Sequence, residues 1–157
     1  MRRRFLFAFA LSCVVLLAQK YKGPVPPKPD VVYLMHADNL VPTEVTEARE
    51  EGKKDEITYV IAGAASPVKT PLASPVFLIQ ADKLMPEKFE VYRLDVRNGR
   101  REVAFSRKKR KTARPIRLSL HPMGESFYRL EIDETLENGE YSITPAGSNV
   151  VFCFSVY

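Results

Sequence analysis

Apolar residues recur at every second position through much of the chain beyond residue 30. Ile116, Leu118 and Leu120 alternate with Arg117 and Ser119, and Tyr128, Leu130 and Ile132 alternate with Arg129 and Glu131. Successive side chains of a strand point to opposite faces, so this period marks strands with one face turned inward. Val31 to Met35 and Val76 to Ile79 are short apolar runs of strand length. Gly139 to Thr144 is another strand, followed by a turn over Pro145 to Asn149 and a final strand to Tyr157.

The sharpest local signal is Asn98-Gly99, between Phe89–Val96 and Arg101–Ser106. Asn-Gly supplies the two positive φ values of a type I′ hairpin turn. With those two residues as the loop, Leu94 faces Val103 and Tyr92 faces Phe105, so both apolar pairs fall on one face without adjustment. Residues 40–61 are ambiguous. Val41, Val45 and Ala48 have helical spacing, whereas Thr43, Val45 and Thr46 are β-branched and Ile57 to Ile61 is a strong strand. A hairpin with its tip at Glu50 to Lys54 accounts for the whole segment and is preferred over a short helix. Pro67, Pro71 and Pro75 make residues 63–75 a loop or an interrupted edge strand, because proline cannot donate to a ladder.

About eight or nine short strands at this turn spacing predict an all-β, antiparallel β-sandwich, with a small barrel as the alternative. The ending Gly139-Glu-Tyr141 … Val151-Phe-Cys-Phe154 resembles the closing hairpin of uncharacterised secreted bacterial β-sandwich proteins. That resemblance covers about 20 residues and implies a sandwich fold and export, with no activity attached.

The chain start changes the domain picture. Arg2, Arg3 and Arg4 precede an apolar run from Phe5 to Ala18, and polar residues follow. This is the layout of a secretory signal peptide over residues 1–18. The run is shorter than the roughly 20 residues that span a bilayer as a helix. An N-terminal anchor or a buried helix are the competing readings. Lipid anchoring through Cys13 is a third, but Val14 to Leu17 continue the run past the point where a lipidated cysteine ends it. Residues 19–29, with four of the 12 prolines, read as an extended linker. A single domain then covers residues 30–157, in a secreted or periplasmic protein whose mature chain has no transmembrane span.

Charge follows from this division. The 157 residues carry 24 Lys and Arg against 19 Asp and Glu. Three of those arginines belong to the signal, so the remainder is close to neutral. It is also polarised: residues 93–117 hold 11 basic side chains and two acids. At the centre lie Arg107, Lys108, Lys109, Arg110, Lys111 and Arg114. Export and the lack of interleaved aromatic residues argue against nucleic acid. An anionic cell-surface or protein partner fits the compartment, and a solvated loop that keeps a β-protein soluble fits equally. Glu44, Glu47, Glu50, Glu51, Asp55 and Glu56 form an opposing acidic stretch that allows weak self-association.

Candidate chemistry is sparse. No nucleophile elbow, zinc-protease motif or phosphate-binding glycine loop occurs. His36 and His121 are far apart in sequence, His36-Ala-Asp38 offers two metal ligands at most, and Cys153 lies in an apolar strand. No catalytic residue, metal ligand or cofactor is assigned. The sequence favours an exported, non-catalytic binding or scaffolding domain, with the basic run 107–114 as its contact surface. A small secreted hydrolase or metal-dependent enzyme is the alternative.

Overall fold

The computed structural model describes residues 21–107 and 112–157. The signal segment 1–18, and with it Cys13, lies outside the described residues, as do Lys108, Lys109, Arg110 and Lys111. Among the described residues thirteen strands are present, more than the eight or nine expected. In chain order they are β1 (Tyr33–His36), β2 (Asn39–Pro42), β3 (Glu44–Glu47), β4 (Arg49–Lys53), β5 (Glu56–Ala62), β6 (Lys69–Thr70) and β7 (Val76–Gln80). After a 3-10 turn at Pro86–Lys88 come β8 (Phe89–Arg97), β9 (Arg100–Ser106), β10 (Leu118–Gly124), β11 (Phe127–Ile132), β12 (Gly139–Pro145) and β13 (Val150–Val156).

They form two sheets. One has the order β10-β11-β7-β1-β2; the other runs β3-β13-β12-β8-β9-β5-β4, with β6 added beside β13. Every pairing is antiparallel except that of β6 with β13. Pro122 sits in β10, an edge strand, where a missing N–H costs no ladder bond. The segment 63–75 is the interrupted edge strand its prolines predict, reduced to two paired residues.

The larger sheet curls into a half-barrel for a topological reason. Its two outermost strands, β3 and β4, are consecutive in the chain and separated by Ala48 alone. The sheet must therefore bend until its ends nearly meet; at the link, Ala48 N–H donates to the Asn149 carbonyl at 2.7 Å, extending the β3–β13 ladder by one residue. The hairpin expected over residues 40–61 forms only in its inner part: β4 pairs β5, whereas β2 pairs β1 and β3 pairs β13, with Thr43 and Ala48 outside the strands. The hairpin turn itself falls at Lys54-Asp55, because β4 pairs β5 from Arg49↔Val60 to Lys53↔Glu56. Gly52, at φ +119°, permits it: a Cβ there would lie 2.2 Å from the Glu56 carbonyl oxygen.

The Asn98-Gly99 hairpin is in the expected register, with Arg97↔Arg100, Val96↔Arg101 and Asp95↔Glu102 paired. Asn98 and Gly99 take φ values of 50° and 73°, as a type I′ turn requires. The ladder stops after three pairs, short of the expected Leu94–Val103 and Tyr92–Phe105 pairings. Beyond Asp95 the two strands splay, and the returning segment 112–116 enters between them. Ala113 N–H donates to Ala104 O and Ile116 N–H to Val91 O. Tyr92 and Phe105 remain on one face, with their rings 5.3 Å apart.

Two apolar clusters result, on opposite faces of the larger sheet. Between the sheets lie Leu34, Phe77, Leu130, Ile143, Phe152 and Phe154, all 1% exposed or less. Inside the half-barrel lie Ile61, Tyr92, Leu94, Val103, Val151 and Cys153, flanked by Tyr59 and Phe105. The proline-rich segment carries no strand. Even so, Pro26 is buried and the Tyr21 ring meets Phe127 edge-on at 5.2 Å. Asp30 then fastens the domain entry by accepting the backbone N–H groups of Asp82, Lys83 and Leu84 at 2.9–3.1 Å. Burial alone would raise the Asp30 carboxyl. Those three donors and the Lys83 ammonium outweigh it and hold the group below its ordinary value. Among the described residues no helix is long and apolar enough to cross a membrane.

Candidate functional site

The half-barrel interior is plugged at one end and open at the other. Its inward positions alternate along each strand: Arg101, Val103 and Phe105 on β9, Tyr92 and Leu94 on β8, Glu140, Ser142 and Thr144 on β12. At the plugged end Arg101 is wholly buried. Its guanidinium donates to both Glu44 carboxylate oxygens, at 2.6 and 2.9 Å, and to the carbonyls of Ala62 and Gly63. Glu140 lies 3.9 Å from the same guanidinium and accepts from Ser66 N–H and the Ser155 hydroxyl. Burial would weaken the Arg101 charge, but these carboxylates more than restore it. Two carboxylates, two carbonyls and one guanidinium thus satisfy each other where water is excluded.

Cys153 belongs to this closed end. Burial pushes its thiol up to about 12, only partly offset by Arg101. A thiol in that state holds almost no thiolate at neutral pH and is no nucleophile.

Towards the other end the interior is a cavity of about 450 Å³. One wall is aromatic: Phe105 stands edge-on to Tyr59 at 5.9 Å and to Tyr92 at 5.3 Å. Ile57, Ile61, Val103 and Val151 complete the apolar lining. Facing them are smaller or polar groups, namely Ala48, Ser142, Thr144 and the turn 145–149. Large side chains on one wall and small ones on the other leave the space. Among the described residues Glu90 is the one charged lining residue. It accepts a 2.7 Å hydrogen bond from the Tyr92 hydroxyl, and burial together with that bond raises the Tyr92 pKa. The Tyr59 hydroxyl donates a longer bond, 3.4 Å, to Glu50.

The basic run attaches at the mouth. β9 ends beside the Phe105 wall, Arg107 N–H donates to Asp55 O, and the chain returns through Ala113, which packs on the half-barrel cluster. Arg107 and Arg114 are exposed and, among the described residues, make no ion pair. The four cationic residues between them, Lys108 to Lys111, are outside the described residues. Much of the basicity around them is answered within the chain. Arg93 pairs with Glu137, Arg97 with Asp95 and Glu102, Arg100 with Glu51 and Glu102, and Arg101 with Glu44. The acidic stretch thereby gives Glu44 and Glu51 to arginines of β9.

The two histidines are not brought together. His36 ends β1 and His121 lies on β10, with β11 and β7 between them, roughly 14 Å at ordinary strand spacing. His121 stands opposite Arg129 in the β10–β11 ladder and lies 3.7 Å from Glu131. No group of three His, Cys, Asp or Glu side chains converges among the described residues.

The cavity was missed by sequence reasoning. Its signal was strands apolar on both faces, as in Val151-Phe-Cys-Phe154, Tyr59-Val-Ile61 and Val91-Tyr92. Such strands are covered on both sides. No protein-family model, curated protein or solved structure matches the chain.

Proposed function

We propose that the protein is an exported, non-catalytic binding domain whose ligand occupies the half-barrel cavity. The observation that carries this reading is the cavity itself. Its volume, apolar and aromatic walls and few convergent polar groups match the ordinary anatomy of a small-molecule site. The rigid frame supports it, since the Arg101 plug and the β12–β13 ladder fix the walls. Export rests on the charged and apolar pattern of residues 1–18, and N-terminal sequencing of the protein recovered from its host tests it. Purification from that host followed by mass spectrometry of extracted small molecules tests the cavity. A bound compound released by denaturation, and absent from Val103→Trp protein that retains its thermal transition, is the expected result.

A second reading has its own observation. Arg107 and Arg114 stand exposed at the mouth, with no ion pair among the described residues, where an anionic cell-surface or protein partner would meet the basic run. Arg107→Glu with Arg114→Glu would then abolish capture of that partner and leave the thermal transition in place.

A further inference from the structure

We infer that the cavity ligand is a small organic cation, an amine or ammonium group on an apolar body. This rests on the cavity being a binding site. The chemistry of the lining directs the choice. Among the described residues Glu90 is its one charged side chain, and no described cation pairs with it. Next to it stands a continuous wall of three rings, Tyr92, Phe105 and Tyr59, in edge-to-face contact. Aromatic faces carry negative quadrupole potential and attract a cation within about 6 Å of the ring centre. Both tyrosine hydroxyls give their protons to carboxylates, Tyr92 to Glu90 and Tyr59 to Glu50, so negative charge flanks the wall at both ends. Ser142, Thr144 and Asn149 add acceptor oxygens, and among the described residues no lysine or arginine lines the cavity. Among the described lining residues an anionic head would meet Glu90 with no cation to offset it, whereas a cationic head meets one carboxylate and the rings together. The apolar body then fills the space between Ile61, Val103 and Val151. Arg107 at the mouth opposes entry of the cation, so it weakens binding without specifying it.

Three probes of one shape separate the outcomes: benzyltrimethylammonium, its uncharged isostere neopentylbenzene, and the anion phenylmethanesulfonate. Titration would be followed by NMR at the methyl groups of Ile61, Val103 and Val151 and the rings of Tyr59 and Tyr92. The cation should bind about tenfold more tightly than the neutral isostere, with the sulfonate weakest. Glu90→Gln should remove most of that preference, about fivefold, without changing affinity for neopentylbenzene. Arg107→Gln should strengthen cation binding about twofold. Both variants change exposed side chains, and an unshifted thermal transition verifies the fold. Equal affinity for cation and neutral probe, or preference for the sulfonate, overturns the cation assignment and leaves the cavity reading standing. Failure of all three probes to shift the cavity residues overturns both.

Discussion

The sandwich interior and the half-barrel interior share strands β8, β12 and β13 and differ in what those strands turn towards each. Towards the sandwich they present Val91, Ile143, Phe152 and Phe154, large apolar groups that interlock with Phe77 and Leu130. Towards the half-barrel they present Tyr92 and Leu94 together with the smaller Ser142, Thr144, Val151 and Cys153. The first face is filled, and the second keeps about 450 Å³ of space. Same strands, same pairing, opposite packing: the side-chain size on each face decides which interior is a core and which is a container.

The comparison breaks most visibly in stability. Phe154→Ala removes a fully buried ring between the sheets and should cost about 3–5 kcal/mol in denaturant unfolding. Arg101→Met should cost a similar amount, about 3–5 kcal/mol, because Glu44 and the Ala62 and Gly63 carbonyls lose their shared donor and Glu140 loses the charge 3.9 Å away. Phe105→Ala, in the cavity wall and only half-buried, should cost about 2 kcal/mol or less on transfer of its exposed-to-buried area alone. A Phe105 loss as large as that of Phe154 would mean that the half-barrel is a second core.

Two smaller effects sharpen the picture. Asp30→Asn should lower stability by about 1 kcal/mol, because a neutral amide oxygen accepts the backbone N–H groups of Asp82, Lys83 and Leu84 more weakly than a carboxylate. The wild-type contribution has a definite pH sign. The folded Asp30 pKa lies below its ordinary 3.8, so the stabilisation is complete above that value and is lost as pH falls through the lower folded pKa. An acid titration of the difference between wild type and Asp30→Asn should show it vanish there. Cys153 should remain unreactive towards an aromatic disulfide reagent at mildly alkaline pH and react fully in denaturant, as its buried, raised thiol requires.

How far the sequence reaches differs between these regions for physical reasons. The Asn98-Gly99 turn was legible because two positive φ values demand those residues. The β1–β2 turn was not, because Ala37 takes φ 52° with no glycine or asparagine to announce it. The sheet curl depends on Ala48 linking two distant edges, a relation between strands that no local period encodes. In the sequence Arg101 is one of eleven basic side chains in residues 93–117, and only the approach of β3 and β12 gives it Glu44 and Glu140. Of the six basic residues singled out, Arg107 and Arg114 stand exposed at the cavity mouth without lining it. The lining residues lay on strands whose two apolar faces marked burial, and burial alone does not distinguish a filled interior from an open one.

One titration tests that distinction most directly. Methyl-resolved NMR with neopentylbenzene reads both interiors at once, since Ile61, Val103 and Val151 report the half-barrel while Leu130, Ile143 and Val91 report the sandwich. Saturable shifts confined to the first set are the predicted result. Shifts in neither set, or first in the sandwich set, would contradict the assignment of the half-barrel as the binding interior.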